Sequence, residues 1–218
     1  FLSSASLQDI IRRYKRVRGA DMGGFAAHCA IQLNDTHPTI SIPELTRLLM
    51  KEGLDFDAAF DITRQTFNYT NHTLMSEALE KWDYELLRSV VPEITELISR
   101  INDKMNAELR ALGAPEERVA HMQIADGGQV HMARLAVYGS TYVNGVAQIH
   151  SELIKRELLP DWYAMFPEKF CNKTNGITQR RWLGLCNPEL ADLIADRLGS
   201  RDFLLNLDLV QGIKRYLD

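Results

Sequence analysis

The chain has 218 residues, 45% hydrophobic and 25% charged, with 25 Lys and Arg against 29 Asp and Glu and a formal net charge of -4. Those proportions exclude a disordered chain and a domain whose affinity rests on a phosphate backbone, which needs excess basic charge. No run approaches the roughly 18 apolar residues of a membrane span, so neither nucleic acid nor membrane is an expected partner.

The opening Phe1-Leu2-Ser3-Ser4-Ala5-Ser6 carries no basic signal region and no initiating Met, and reads as the edge of a piece of a longer chain. Leu7, Ile10, Ile11 and Tyr14 follow i, i+3, i+4, i+7 spacing and predict an amphipathic helix, with Arg12 and Arg13 beside its buried stripe. The basic, then Gly-rich stretch from Arg16 to Gly24 reads as a loop. Cys29 to Leu33 predicts a short strand whose far end carries Asn34 and Asp35. Ser41-Ile42-Pro43-Glu44 fits a capping box that opens a helix with Leu45, Leu48 and Leu49 inside. A further helix starts near Asp57, and Phe67 to Thr70 reads as a strand.

Helix then dominates from Tyr84 to Leu112, broken at Pro92, and Gly113 to Gly128 reads as a long connection. Met132 to Ile154 is apolar around much of its circumference and predicts a largely buried helix, interrupted or bent near Gly139 or Gly145. After a loop around Pro160 and Pro167 comes an extended piece at Lys169 to Lys173. Asn187-Pro188 caps and opens a helix that Gly199 closes, and a helical tail runs to Asp218. Strands separated by helices give a helix-rich α/β class. Cys29, Cys171 and Cys186 are an odd set among apolar neighbours, without metal-ligand spacing, so buried free thiols of a reducing cytoplasm are expected.

Polar constellations punctuate this pattern. Leu33-Asn34-Asp35-Thr36-His37-Pro38 ends a strand, where open α/β sheets place ligands. Asp35 and His37 are candidates for binding hydroxyls or sharing a proton; the plainer reading is an Asx turn before Pro38 and a surface histidine. Asn68-Tyr69-Thr70-Asn71-His72-Thr73 supplies the consecutive donors and acceptors that a neutral polyol needs, or else contains a structural His72. Cys171-Asn172-Lys173-Thr174-Asn175-Gly176-Ile177-Thr178-Gln179-Arg180-Arg181-Trp182 is a Gly turn followed by basic residues. It can bind an anion or stack on a flat ring, or simply open a helix. Asp35, His37 and His72 lack the spacing of known metal motifs, and no metal is expected. No Gly-x-Ser-x-Gly elbow or Walker-type phosphate loop is present. The residues by themselves lead to a polar, carbohydrate-binding cleft in an α/β protein.

Longer strings narrow this further. Ala30-Ile31-Gln32-Leu33-Asn34-Asp35-Thr36-His37-Pro38 with Ile42-Pro43-Glu44-Leu45 resembles a hallmark segment of the glycogen and maltodextrin phosphorylases. So do Tyr69-Thr70-Asn71-His72-Thr73 with Glu77-Ala78-Leu79-Glu80-Lys81-Trp82, Val143-Asn144-Gly145-Val146-Ala147 with Ile149-His150-Ser151, and Asn172-Lys173-Thr174-Asn175-Gly176-Ile177-Thr178 with Arg180-Arg181-Trp182 and Cys186-Asn187-Pro188. Leu7-Gln8-Asp9-Ile10-Ile11-Arg12-Arg13 is similar to another, and the matches follow family order from the first residues to beyond Pro188.

The resemblance implies an internal fragment of a retaining α-1,4-glucan phosphorylase, in which orthophosphate attacks a terminal glucosyl unit and releases glucose 1-phosphate. It implies a two-domain, glycosyltransferase-B-like (Rossmann-like) fold around a deep cleft holding pyridoxal 5'-phosphate, in a cytoplasmic homodimer acting on glycogen or maltodextrin. Residues 1–175 correspond to the later part of the N-terminal domain and 176–218 to the start of the C-terminal, pyridoxal-phosphate-binding one. His72 and Asn175 are implied to hold the 6-hydroxyl of the reacting glucose, with the His72 carbonyl facing developing positive charge. Asp35 and His37 line the sugar channel, Val146 packs near the glucose, and Trp182 lies close to the cofactor. Arg12 and Arg13 match a nucleotide-phosphate site of regulated animal enzymes, which is not expected here.

The family's glycine-rich loop lies upstream of Phe1, and its phosphate clamp and Schiff-base lysine lie downstream of Asp218. Gln179 stands where the family has proline, and Met132-Ala133-Arg134-Leu135 departs from the commoner pattern. Near Asn102, Ser99 replaces the aromatic of a separate glycogen-storage site, which is therefore not expected. The fragment is expected to be inactive alone. A non-catalytic glucan-binding or scaffold module is the alternative.

Overall fold

Alternating apolar runs and helical stripes must be buried somewhere, and a computed structural model of the chain shows where, describing residues 1–75, 77 and 79–217. Ala78 of the quoted strings and Asp218, the end of the expected second domain, lie outside the described residues. The chain divides into two compact units, Phe1–Thr174 and Asn175 onward.

The first unit begins with α1 (Leu2–Arg18), whose Leu7, Ile11 and Tyr14 are buried as their spacing requires, and the single turn α2 (Phe25–His28). Strand β1 (Ile31–Asn34) leads into α3 (Ser41–Lys51) and α4 (Phe56–Thr66), then β2 (Phe67–Thr70). After β3 (Lys81–Asp83) come α5 (Tyr84–Val90) and α6 (Pro92–Ala111), separated at Pro92, which opens α6 in the turn where its missing N–H has no partner to lose. Helix α7 (Glu116–Met122) is followed by β4 (Ala125–Asp126) and β5 (Gln129–His131). Then come α8 (Met132–Tyr138), β6 (Val143–Gly145), α9 (Gln148–Leu153), α10 (Pro160–Met165) and β7 (Phe170–Asn172), with a π-helical turn at Ile154–Leu158.

Four strands form one parallel sheet in the order β1-β2-β6-β7, with Ile31 opposite Phe67, Tyr69 opposite Val143 and Val143 opposite Phe170. Parallel strands need crossovers, and α3–α4 supply the one from β1 to β2. A smaller antiparallel sheet, β3-β5-β4, turns at Gly127-Gly128, both of which have positive φ. One continuous core joins Leu33, Phe67, Tyr69 and Val143 of the main sheet to Ile42, Leu45, Leu49, Phe60, Leu135 and Tyr138 of the helices. Its aromatic spine runs Phe60–Tyr138–Trp162–Phe166, with ring centroids 5.6, 6.4 and 6.2 Å apart.

Some sequence expectations are corrected here. The capping box at Ser41 does not form: Ile40 occupies the cap, and Glu44 instead pairs with Arg47 and accepts from Ser4 Oγ. Burial opposes the Glu44 charge, but those donors hold its carboxyl below the ordinary range. The apolar run from Met132 to Ile154 is interrupted at Gly139 as expected, but Val143-Asn144-Gly145 leaves the helical path to become a central strand. The connection from Gly113 to Gly128 holds α7 and β4. The cysteines are free but not buried: Cys29 and Cys171 are half-buried and Cys186 is exposed.

The second unit contains a π-helical turn (Arg180–Leu185), α11 (Pro188–Leu198) and 3-10 turns at Asp202–Leu204 and Leu207–Tyr216. Asn187 caps α11 by accepting from the Leu190 N–H, and Gly199 ends it at φ +82°. Ala191 and Phe203 are buried, while Ile177, Leu185, Leu193 and Leu205 are exposed. Among the described residues no helix is long and apolar enough to cross a membrane.

Gly139 tests the packing of α8 on α3. A Cβ there would lie 2.7 Å from both Ile42 Cδ1 and Ile42 Cγ2, in a backbone conformation any residue can adopt. We expect Gly139→Ala to cost about 1–3 kcal/mol. The double variant Gly139→Ala, Ile42→Ala should be destabilised by less than the sum of its parts, as read by urea unfolding.

Candidate functional site

The parallel sheet delivers its polar residues to one edge. Because β1, β2, β6 and β7 run in the same direction, Asn34, Thr70, Gly145 and Asn172 all stand at strand C-termini, the end at which open α/β sheets receive ligands. A side-chain relay crosses the first three strands. Gln32 Nε2 donates to Thr70 Oγ1 (2.8 Å), the Thr70 hydroxyl donates to Asn144 Oδ1 (2.9 Å), and Asn144 Nδ2 donates to the Gly145 carbonyl (3.0 Å). The backbone continues it, with Asp35 N–H donating to the Thr70 carbonyl and Asn71 N–H to that of Asn144, each at 2.9 Å.

Asp35 follows β1 at φ +65°, the one non-glycine residue with positive φ among the described residues. That conformation costs an ordinary side chain about 1 kcal/mol or more, and Asp and Asn bear it best because they bond locally. Here Oδ1 accepts from the Thr36 N–H at 3.2 Å, a bond to the next residue rather than the anticipated Asx turn. The imidazole of His37 does not meet Asp35. Its Nδ1 lies 3.3 Å from Glu80 Oε2, which also accepts from Thr36 Oγ1 at 2.7 Å. Sharing of a proton between Asp35 and His37 is thus replaced by a Thr36–Glu80–His37 cluster, with His37 exposed.

His72 is exposed at the end of β2, and its Nε2 contacts Asn34 Oδ1 at 2.5 Å. The residue before it is the anchor: Asn71 is fully buried, donates to the Tyr69 hydroxyl and accepts from the Thr73 N–H, both at 3.1 Å. Burial pushes the Tyr69 phenol well up, so it stays protonated. Just after β6, Val146 is half-buried and its N–H donates to His150 Nδ1 at 3.0 Å. Ser151 Oγ donates to Asn172 Oδ1 (2.8 Å), tying α9 to β7. Asn34, Asn144 and His150 were missed in the sequence. Asn144 and His150 sat in plain view within Val143-Asn144-Gly145-Val146-Ala147-Gln148-Ile149-His150, concealed by the reading of that run as a helix. Among the described residues no group of three or more His, Cys, Asp and Glu is placed to hold a metal ion.

Asn175 and Trp182 belong to the second unit. Asn175 lies in an irregular, exposed segment, and Trp182 is 70% exposed on the π-helical turn. Gln179 donates its Nε2 to the Leu204 carbonyl at 3.0 Å, so it braces the turn from within that unit.

The opposite end of the main sheet is closed rather than open. Lys169, just before β7, is 7% exposed and donates its ammonium to the Ser140 carbonyl. Beside it, Tyr138 OH donates to Glu108 Oε2 (2.7 Å) and Arg64 lies 3.0 Å from the same carboxylate. Burial raises the Glu108 carboxyl, but its donors outweigh that and hold it low. Burial, followed by Arg64, lowers the Lys169 amine to about 8. These lysines bear on the cofactor implied by the resemblance. Lys169 is committed at the wrong end of the sheet, and Lys173, at the open edge, is exposed. The described residues of this chain therefore do not by themselves form a pyridoxal phosphate site.

Two other implied sites are locally satisfied. Arg12 and Arg13 both pair with Asp9, at 2.5 and 2.7 Å. Asn102 is buried, donates to Gln123 Oε1 and accepts from the Ile124 N–H, which makes it a structural strut rather than a presented sugar ligand.

A parallel sheet whose strand ends carry clustered hydrogen-bonding groups defines an α/β protein with a polar ligand edge, and comparison with known proteins makes the class specific. The whole chain, residues 1–218, matches the profile of the carbohydrate phosphorylases, and it belongs to that family. It is 44% identical to the muscle form of glycogen phosphorylase from Mus musculus over 230 residues, covering 100% of this chain and 27% of that protein. It is 44% identical to the cytosolic alpha-glucan phosphorylase 2 of Arabidopsis thaliana and 45% identical to the H isozyme of alpha-glucan phosphorylase from Vicia faba, with the same coverage. The chain thus spans about a quarter of the length of these relatives, 27% in each case.

Two measurements check this geometry. Thr70→Val deletes the centre of the relay and should destabilise the chain by about 1–3 kcal/mol, because Gln32 and Asn144 lose their shared partner. Lys169 has a folded-state value near 8, below its ordinary 10.5. Between those values the unfolded chain binds more protons, so folding gains stability as pH rises. We expect urea unfolding from about pH 8 to pH 10.5 to show this gain in the wild type and to lose it in Lys169→Met.

Proposed function

We propose that the chain is a central segment of an α-1,4-glucan phosphorylase, whose parent enzyme releases glucose 1-phosphate from glycogen or maltodextrin by retaining phosphorolysis with orthophosphate. The observation that carries this reading is family membership along the entire chain, together with the polar C-terminal edge of a parallel sheet. In it, residues 1–175 belong to the N-terminal domain and 176–218 open the C-terminal one; the division of the chain after Thr174 supports that boundary.

The chemistry asks for neutral recognition followed by stabilisation of positive charge. Glucose hydroxyls require convergent donors and acceptors, which Asn34, Asp35, His37 and His72 offer at the ends of β1 and β2. We assign His72 and Asn175 to the 6-hydroxyl, Asp35 and His37 to the sugar channel, and Val146 to packing against the glucose. The transition state resembles an oxocarbenium ion, so a carbonyl dipole fixed beside the anomeric carbon stabilises it without reorganising. The buried Asn71, which holds the Thr73 N–H, fixes the peptide that carries the His72 carbonyl. Trp182 is assigned to a surface facing pyridoxal phosphate, whose Schiff-base lysine lies outside this chain. The parent is proposed to be a cytoplasmic homodimer.

The 218 residues alone should be inactive. Supplied with pyridoxal phosphate, maltoheptaose and orthophosphate, the isolated chain is expected to yield no glucose 1-phosphate, whereas the full-length gene product does. In the latter, His72→Ala should lower kcat/KM at least about tenfold, or ~1.4 kcal/mol of transition-state stabilisation. Turnover by the isolated chain overturns the division of labour; its absence from the full-length product overturns the reading itself.

A further inference from the structure

We propose that His150 is a positioning residue of the sugar-facing edge, using a single neutral imidazole tautomer to hold the Val146 backbone and the His72–Thr73 loop at a fixed separation. This rests on the glucosyl-site reading above for its functional meaning, but not for its geometry.

The ring's proton inventory follows from its neighbours. Val146 N–H donates to His150 Nδ1 at 3.0 Å, so Nδ1 must carry a lone pair and the proton of the neutral ring sits on Nε2. Nε2 is buried and has no hydrogen-bond partner among the described residues, and the ring lies close enough to the loop after β2 to feel the Thr73 backbone and the His72 imidazole. One edge of the imidazole thus binds the turn after β6 and the other packs toward the loop after β2. That loop is held by the Thr73 N–H, which donates to Asn71 Oδ1. The slot admits little slack, since a Cβ on Gly145 would lie 2.6 Å from Ser151 Oγ and 2.8 Å from His150 Nδ1.

A charged ring cannot serve this role, because protonated Nδ1 would oppose the Val146 N–H. Burial, and then the nearby His72, lower the His150 value and keep the ring neutral. His150 therefore touches neither reacting atom and acts through two backbone segments, one bearing Val146 and the other His72.

The test combines the chain with the parent enzyme. Long-range proton–nitrogen spectra of the 218-residue chain should show His150 as the Nε2–H tautomer at pH 7; a ring protonated on Nδ1 overturns the proposal. His150→Ala should speed hydrogen exchange of the Val146 amide about tenfold or more and shift the Thr73 amide resonance. His150→Asn, whose Oδ1 stands near the Nδ1 position, should restore both. If the Ala variant fails to fold, the Asn variant decides: loss of Val146 protection there overturns the proposal. In the full-length gene product, His150→Ala should lower kcat/KM about tenfold and His150→Asn should recover most of it; loss of activity without this rescue overturns the positioning role. A wild type without turnover but with the expected tautomer and exchange pattern defeats the glucosyl reading alone.

Discussion

The relay from Gln32 through Thr70 to Asn144 is the constraint on which the candidate site depends. Parallel strands of three or four residues have few ladder bonds with which to set their register, and a slip by one residue would turn every side chain to the other face. Side chains that bond across β1, β2 and β6, from Gln32 through Thr70 at the end of β2 to Asn144, remove that freedom where it matters. The positive φ of Asp35, the burial of Asn71 and the approach of Asn34 to His72 all follow from strand ends held level. Asn144 has a double duty, accepting from one neighbour through its side chain and from the next through its backbone.

The donors and acceptors along the resulting edge are mostly amides and hydroxyls. Charge is present as well, in Asp35 directly after β1 and in Glu80, which accepts from Thr36 Oγ1 and lies against His37. A carboxylate that accepts from a threonine and approaches an imidazole orients both.

Much of the fold was legible because its signals are local and physical. The Leu7–Tyr14 stripe, the break at Pro92, the Asn187 cap and the Gly199 stop each name their own backbone state. Three features were not legible, for different reasons. Val143-Asn144-Gly145 has apolar neighbours on both sides, and periodicity does not separate a buried strand from a buried helix. The antiparallel strands have two or three residues each, too few to alternate. At Ser41 the capping pattern was present, but Arg47 and Ser4 competed successfully for Glu44. Within the site, His72 and Asp35 stood out through their polar surroundings. The partners Asn34, Glu80 and His150 did not, since their importance comes from contacts across 38, 43 and 4 positions of sequence.

The two ends of the main sheet are built on opposite principles. At one, Lys169, Ser140, Arg64, Glu108 and Tyr138 are locked into a partly buried ionic knot; at the other, side chains face outward. Such polarity decouples folding from evolvability. Groups along the open rim can be exchanged while the knot keeps the scaffold's cooperativity intact. Drift at the knot is penalised before selection on catalysis is ever consulted.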